Sequence, residues 1–167
     1  MIQKKICLLG ASGVGKTSLI RQFVESIFSD KYLTTIGVKV DKKSVEINGQ
    51  EVKLMLWDIE GNDRYHMFQE KYLRGASAYI IVVDQTRSPS LIEGIDIHTL
   101  LQQNHDCPTV LAINKSDLTE NWHWGEKELN DYKSLFDLSY HTSAKTGDNV
   151  ETMFSELAER LLQESVQ

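Results

Sequence analysis

Cysteine is scarce in this 167-residue chain, with Cys7 and Cys107 the only two. They make neither a disulfide framework nor a metal motif, and Cys7, inside an apolar run, reads as a small buried residue. Such usage suits a reducing cytoplasm. Basic residues are not in excess: 18 Lys and Arg face 24 Asp and Glu, for a net charge of −6. That balance speaks against a nucleic-acid partner and against a basic membrane-facing surface. A signal peptide, a transmembrane run, internal repeats, low-complexity tracts and linkers are all lacking. The final residues Glu164-Ser165-Val166-Gln167 offer no cysteine for prenylation. The expectation is a soluble cytoplasmic monomer, one domain over residues 1–167, that meets membranes only peripherally and only if a longer chain supplies a tail. An apolar content of 41% and a charged content of 25% are ordinary for a chain that must bury about two-thirds of its unfolded surface.

What is present is sharper. Gly10-Ala11-Ser12-Gly13-Val14-Gly15-Lys16-Thr17 fits G-x-x-x-x-G-K-[ST] without a mismatch. Ahead of it, Ile6 to Leu9 form a short apolar run, as a buried parallel strand does. Behind it, Leu19, Ile20, Phe23, Val24 and Ile27 recur at helical spacing. Strand, glycine loop and helix N-terminus in that order make an anion site. The glycines let successive N–H groups curl around phosphate oxygens, the helix dipole favours negative charge, and Lys16 adds a point charge. Thr17 offers its hydroxyl to a magnesium ion.

The remainder alternates strands with helices. Val38 to Ile47 and Glu51 to Trp57 read as strands joined at Asn48-Gly49, a hairpin signal. Short apolar runs ending at Asp84 and Asn114 read as further strands, and a weak strand is expected around Asp137 to His141. Helices are expected over Ser90 to Asn104, over Gly125 to Ser134, and from near Asn149 onward. The pattern implies a mostly parallel, doubly wound six-stranded sheet with one antiparallel edge strand and helices on both faces. Its ligand belongs at the carboxyl ends of the strands, where the glycine loop lies.

Two segments bear on the base. Asn114-Lys115-Ser116-Asp117 follows a strand end. A dry carboxylate at Asp117 accepts from guanine N1–H and its exocyclic amine, a donor pair that adenine lacks. Lys115 can lay its stem along the base, and Asn114 can tie this loop to the glycine loop. Ser143-Ala144-Lys145 could present a backbone N–H to guanine O6. Alone, N-K-x-D is as often a helix cap; behind a phosphate loop and at a strand end, the guanine reading is the stronger. Asp58-Ile59-Glu60-Gly61 could hold magnesium through water at Asp58 and meet a γ-phosphate with the Gly61 N–H. Thr35 could close the magnesium shell when that phosphate is present. Each is weak alone, the bland alternative being a strand-end turn and an ordinary loop threonine.

In this order the motifs resemble the Ras superfamily of small GTPases, across essentially the whole chain. Thr35-Ile36-Gly37-Val38, Trp57 before Asp58, and Tyr72-Leu73-Arg74-Gly75-Ala76 look closest to the Rab branch. The resemblance implies a P-loop small G domain that binds GTP or GDP with Mg2+ and hydrolyses GTP. Switch loops near 29–38 and 58–75 would recruit effectors in the GTP state, with exchange factors and GTPase-activating proteins as further partners. Such proteins act in signalling and vesicle trafficking. It extends the nucleotide site to Ser18 and to Phe28, an aromatic packed on the guanine. It also places the catalytic residues at Lys16, Thr35 and the position of Asn62.

There the chain departs from the family, which has glutamine after the D-x-x-G glycine to orient the attacking water. Asparagine is shorter by about 1.5 Å, roughly one carbon–carbon bond, and misplacement of about 1 Å can cost on the order of 10²-fold in rate. Glu60 stands where alanine is common and would repel a γ-phosphate unless turned to solvent. Slow hydrolysis is therefore expected, and a nucleotide-locked binding module is the rival. A nucleoside-kinase-type phosphotransferase is more distant, because no arginine-rich lid is visible. The five histidines are scattered and read as structural or solvated. Trp122 and Trp124 read as a helix start in a polar loop, or as exposed indoles on a partner surface.

Overall fold

A computed structural model describes residues 2–26, 38–59, 72–119 and 124–166. Six strands form one sheet in the order β2-β3-β1-β4-β5-β6. These are β1 (Ile2–Leu9), β2 (Val38–Ile47), β3 (Gln50–Ile59), β4 (Ala78–Asp84), β5 (Thr109–Asn114) and β6 (Leu138–His141). Among the described residues only the edge pair β2–β3 is antiparallel; every other pairing is parallel. The hairpin turns where expected, with Asn48 and Gly49 both at positive φ (52° and 80°), the geometry that matches strand twist.

Among the described residues four helices cover the sheet: α1 (Lys16–Glu25), α2 (Ser88–Gln102), α3 (Glu126–Lys133) and α4 (Val150–Val166). Alternate residues of β4 face opposite ways. Ala78, Ile80 and Val82 join the cluster that holds α1 and α4, whereas Tyr79, Ile81 and Val83 join the cluster that holds α2 and α3. None of the described helices is long and apolar enough to cross a membrane. From β1 the chain passes to the β3 side of the sheet, and from β4 to the β5 side, so strand order reverses between β1 and β4. That crevice is where an open parallel sheet binds its ligand.

Two expectations change. Helix α2 begins at Ser88, earlier than the expected Ser90, because Pro89 sits in its first turn, where a missing N–H costs nothing. Of the two readings of Trp124, the helix start stands, since α3 follows it directly, and the exposed indole falls: the ring is buried in the α2/α3 cluster, because the chain entering α3 lays it against the sheet rather than into solvent. Trp122 lies outside the described residues.

His98 is structural, as expected, and fully buried. Its Nε2 lies 2.9 Å from Leu135 O, which can only accept, so Nε2 carries the proton. Nδ1 lies 3.2 Å from the Tyr79 hydroxyl. Burial holds the ring's pKa below the ordinary value of 6.5, which favours the neutral ring and leaves Nδ1 as the acceptor for that hydroxyl.

Candidate functional site

The glycine loop leaves β1 at Gly10 and enters α1 at Gly15, and at both positions the backbone excludes a side chain. A Cβ on Gly10 (φ +148°) would stand 2.3 Å from Val82 O, and one on Gly15 (φ +106°) 2.2 Å from Asn114 Nδ2. The loop is thus pressed against β4 and β5.

Its carbonyls follow a pattern. Five in succession, Gly10 to Val14, accept from side chains. The buried Lys16 ammonium donates to Gly10 O (3.1 Å) and Ala11 O (3.2 Å). Arg87 Nη2 donates to Ser12 O at 3.1 Å, Lys115 Nζ to Gly13 O at 3.3 Å, and Asn114 Nδ2 to Val14 O at 2.9 Å. Across a planar trans peptide the next N–H points opposite to the carbonyl. The N–H groups of Gly13, Val14 and Gly15 therefore point away from Arg87, Lys115 and Asn114. A loop with its acceptors engaged and its donors turned the other way suits an anion.

The segment after β5 is held just as firmly. Asn114 Oδ1 accepts from Thr142 Oγ1 at 3.2 Å, so its amide bridges the glycine loop and the segment after β6. Lys115 adopts a left-handed backbone (φ 66°), and its ammonium lies 2.8 Å from the wholly buried carboxylate of Asp84. Burial alone would raise the Asp84 carboxyl. The Lys115 ammonium and the Thr86 hydroxyl and N–H outweigh it, and the pKa falls below the usual carboxylate range. Ser143 Oγ donates to Asp117 Oδ1 at 2.8 Å, and the carboxylate is exposed rather than dry as expected, because it stands three residues beyond the end of β5; it keeps acceptor capacity. The Ser143 N–H is taken by Asp148 O, so Ala144 and Lys145 supply the candidate donors for a base oxygen.

For a cation, Thr17 Oγ1 donates to Asp58 Oδ2, which brings two hard oxygens together at the loop's exit, one for direct ligation and one to hold a metal-bound water. Asp58 is almost fully buried at 1% exposure. This donor set fits magnesium, with phosphate and water oxygens completing the shell. No group of three His, Cys, Asp or Glu side chains forms a metal cluster among the described residues.

The structure thus brings Ser12 to Ser18, Asp58, Asn114, Lys115, Asp117 and Ser143 to Lys145 to one end of the sheet. Phe28, Thr35, Glu60, Gly61 and Asn62 lie outside the described residues. Sequence reasoning missed four supports: Asp84, Arg87, Thr142, and Gln22, whose Nε2 donates to Ala144 O at 2.7 Å. Of these, Asp84 left a readable signal, a carboxylate ending an otherwise apolar strand.

Comparison with known proteins agrees with this architecture. A model of the Ras family matches residues 5–163. Human Ras-related protein Rab-30 is 38% identical over 170 aligned residues, covering 98% of this chain and 82% of its own length. Ras-related protein Rab-10 of Caenorhabditis elegans is 33% identical, covering 95% and 80%. Ras-related protein Rab5A of Oryza sativa subsp. japonica is 36% identical, with the same coverage. A match of this length, on a sheet and loop set of this form, identifies the chain as a member of the Ras family of small GTPases, on its Rab-like side.

Proposed function

We propose that the chain is a magnesium-dependent GDP/GTP switch, one G domain over residues 1–167, that hydrolyses GTP slowly. The observation that carries this reading is the run of five loop carbonyls engaged by side chains, beside the paired Thr17 and Asp58. Lys16 and the loop N–H groups, from Ser12 to Ser18, bind the β- and γ-phosphates and stabilise charge developing there. Thr17, Thr35 and, through water, Asp58 hold Mg2+, which when bound neutralises charge on the phosphate oxygens. Asp117 accepts the guanine donors, Lys115 lies along the base, Phe28 packs against it, and Ala144 or Lys145 donates to O6. Gly61 meets the γ-phosphate, and Asn62 positions the water with a reach about 1.5 Å too short. Segments 29–38 and 58–75 then present a nucleotide-dependent surface to effectors, exchange factors and activating proteins.

The test starts with the nucleotide retained on purification, followed by single-turnover hydrolysis. Retained guanine nucleotide, slow turnover and an Asn62→Gln rate gain of about 10- to 100-fold are expected. Preference for ATP in exchange assays sinks the guanine assignment. An Asn62→Gln rate equal to wild type sinks the account of slow hydrolysis, and undetectable turnover in both favours a nucleotide-locked interaction module.

A further inference from the structure

Four of the five engaged loop carbonyls are satisfied by residues of the nucleotide motifs themselves: Lys16 twice, Lys115 and Asn114. The fifth, Ser12 O, is satisfied by Arg87, a residue outside every such motif and 75 positions along the chain. We propose that Arg87 is a positioning residue that clamps the tip of the phosphate loop and thereby sets how long a guanine nucleotide stays bound. This rests on the switch reading above.

The base of the clamp is rigid. The Arg87 N–H donates to Asp84 O (3.0 Å), and Arg87 O accepts from both the Ser90 N–H (3.1 Å) and the Ser90 hydroxyl (2.7 Å). Ser90 is fully buried, and its hydroxyl also lies 2.9 Å from the Asp84 N–H. The guanidinium thus projects from the N-cap of α2 with its backbone pinned to the end of β4.

The carbonyl it holds, like Val14 O before Gly15, precedes a glycine at positive φ, but Val14 O is held by the buried Asn114 amide. Ser12 precedes Gly13, whose φ of +79° is one of several wells open to glycine, so the peptide between them can flip at little cost. A flip would swing the Ser12 carbonyl oxygen toward the anion and carry the Gly13 N–H away from it, replacing an attraction with a repulsion. Arg87 holds the oxygen on the outside. Lys115 does the same for the next carbonyl from the β5 side, so the loop tip is gripped from two strand ends.

Arg87 is exposed, so water and salt weaken the bond, and the effect is expected to be several-fold rather than thousand-fold. The test compares wild type, Arg87→Ala and Arg87→Lys, loaded with magnesium and a fluorescent guanine nucleotide. Dissociation rates are measured alongside hydrogen exchange of the amides of residues 11–15. Arg87→Ala is expected to release GDP and GTP about three- to tenfold faster, with faster exchange confined to the loop and an unchanged urea midpoint. Arg87→Lys, still able to donate to Ser12 O, should recover most of the difference. Release and exchange within twofold of wild type overturn the clamp. Acceleration of GTP release alone also overturns it, because the charge would then act on the third phosphate and not on the loop. A wild-type protein that binds neither guanine nucleotide overturns the switch reading itself, whereas normal binding with an unchanged Arg87→Ala rate overturns only the clamp.

Discussion

On the α1 and α4 side of the sheet, the interior is aliphatic and aromatic: Phe23 stacks on Phe154 with ring centroids 4.2 Å apart, in one buried cluster with Leu19, Ile20, Leu157 and Leu161. On the α2 and α3 side, the interior admits polar groups, with the Cys7 thiol, the Tyr79 hydroxyl and the His98 imidazole buried among aliphatic residues. The contrast follows what each face supports. Helix α1 issues directly from the phosphate loop and α4 follows the Ser143–Lys145 turn, so a rigid apolar base there keeps two site loops in place. The α2 side stands on specific pairs. Such pairs hold only while each partner is present in the right protonation state.

Deleting the stacked ring on the apolar side should have the largest effect. Phe154→Ala is expected to cost about 3–5 kcal/mol in urea unfolding, since the cavity would open between α1 and α4. A loss below 1 kcal/mol would mean that this face is not the rigid one.

Gly94 probes the opposite side. Glycine to alanine inside a helix ordinarily stabilises by about 0.5–1 kcal/mol. Here the new Cβ would stand 2.8 Å from Val83 Cγ1 and 3.0 Å from Ile81 Cγ2, both fully buried. Gly94→Ala should therefore destabilise by about 1–3 kcal/mol, and a gain in stability would show that α2 can withdraw from the sheet.

Gln85, in the turn just after β4, tests polar burial directly. It is fully buried, and neither its Oε1 nor its Nε2 has a hydrogen-bond partner among the described residues. Gln85→Leu, close in volume, should raise stability by about 1–2 kcal/mol in the same assay, by removing unsatisfied polar atoms. A loss of stability would show that the amide is paired in solution.

The smallest effect is on pH dependence. The folded-state pKa of His98 lies below its unfolded value of 6.5, chiefly through burial. Its contribution is therefore complete above pH 6.5 and is lost as pH falls below that, because the unfolded chain then binds a proton the folded chain refuses. His98→Gln keeps an acceptor for Tyr79 and a donor for Leu135 O. It should flatten the decline of stability between pH 7 and 5.5 without abolishing it, since burial also lowers the His141 pKa. An unchanged slope would remove His98 from the account.

How much of this was legible in the sequence depends on distance along the chain. The phosphate loop, the hairpin at Asn48-Gly49 and the strand runs ending at Asp84 and Asn114 are local, and their residue types state their backbone needs directly. Helix α2 was harder. Leu91, Ile92, Ile95, Ile97, Leu100 and Leu101 surround its axis, so no period selects a buried face. Ile92 is left 60% exposed while Gly94 meets the sheet. Trp124 stayed open between two readings for a related reason: its neighbours are polar, and only packing sent the ring inward.

By itself, then, the sequence determined the order of the loops, the chemistry each can offer and the family to which the chain belongs. Spacing constrains backbone shape over a few residues, and those segments need little more. Tertiary structure alone decided that Asp84 would meet Lys115, that Thr142 would hold Asn114, and that Arg87 would reach Ser12. These contacts are set by the register of β1, β4, β5 and β6, and parallel pairing carries residues far apart in the chain to one edge of the sheet. No local period records which of them will meet.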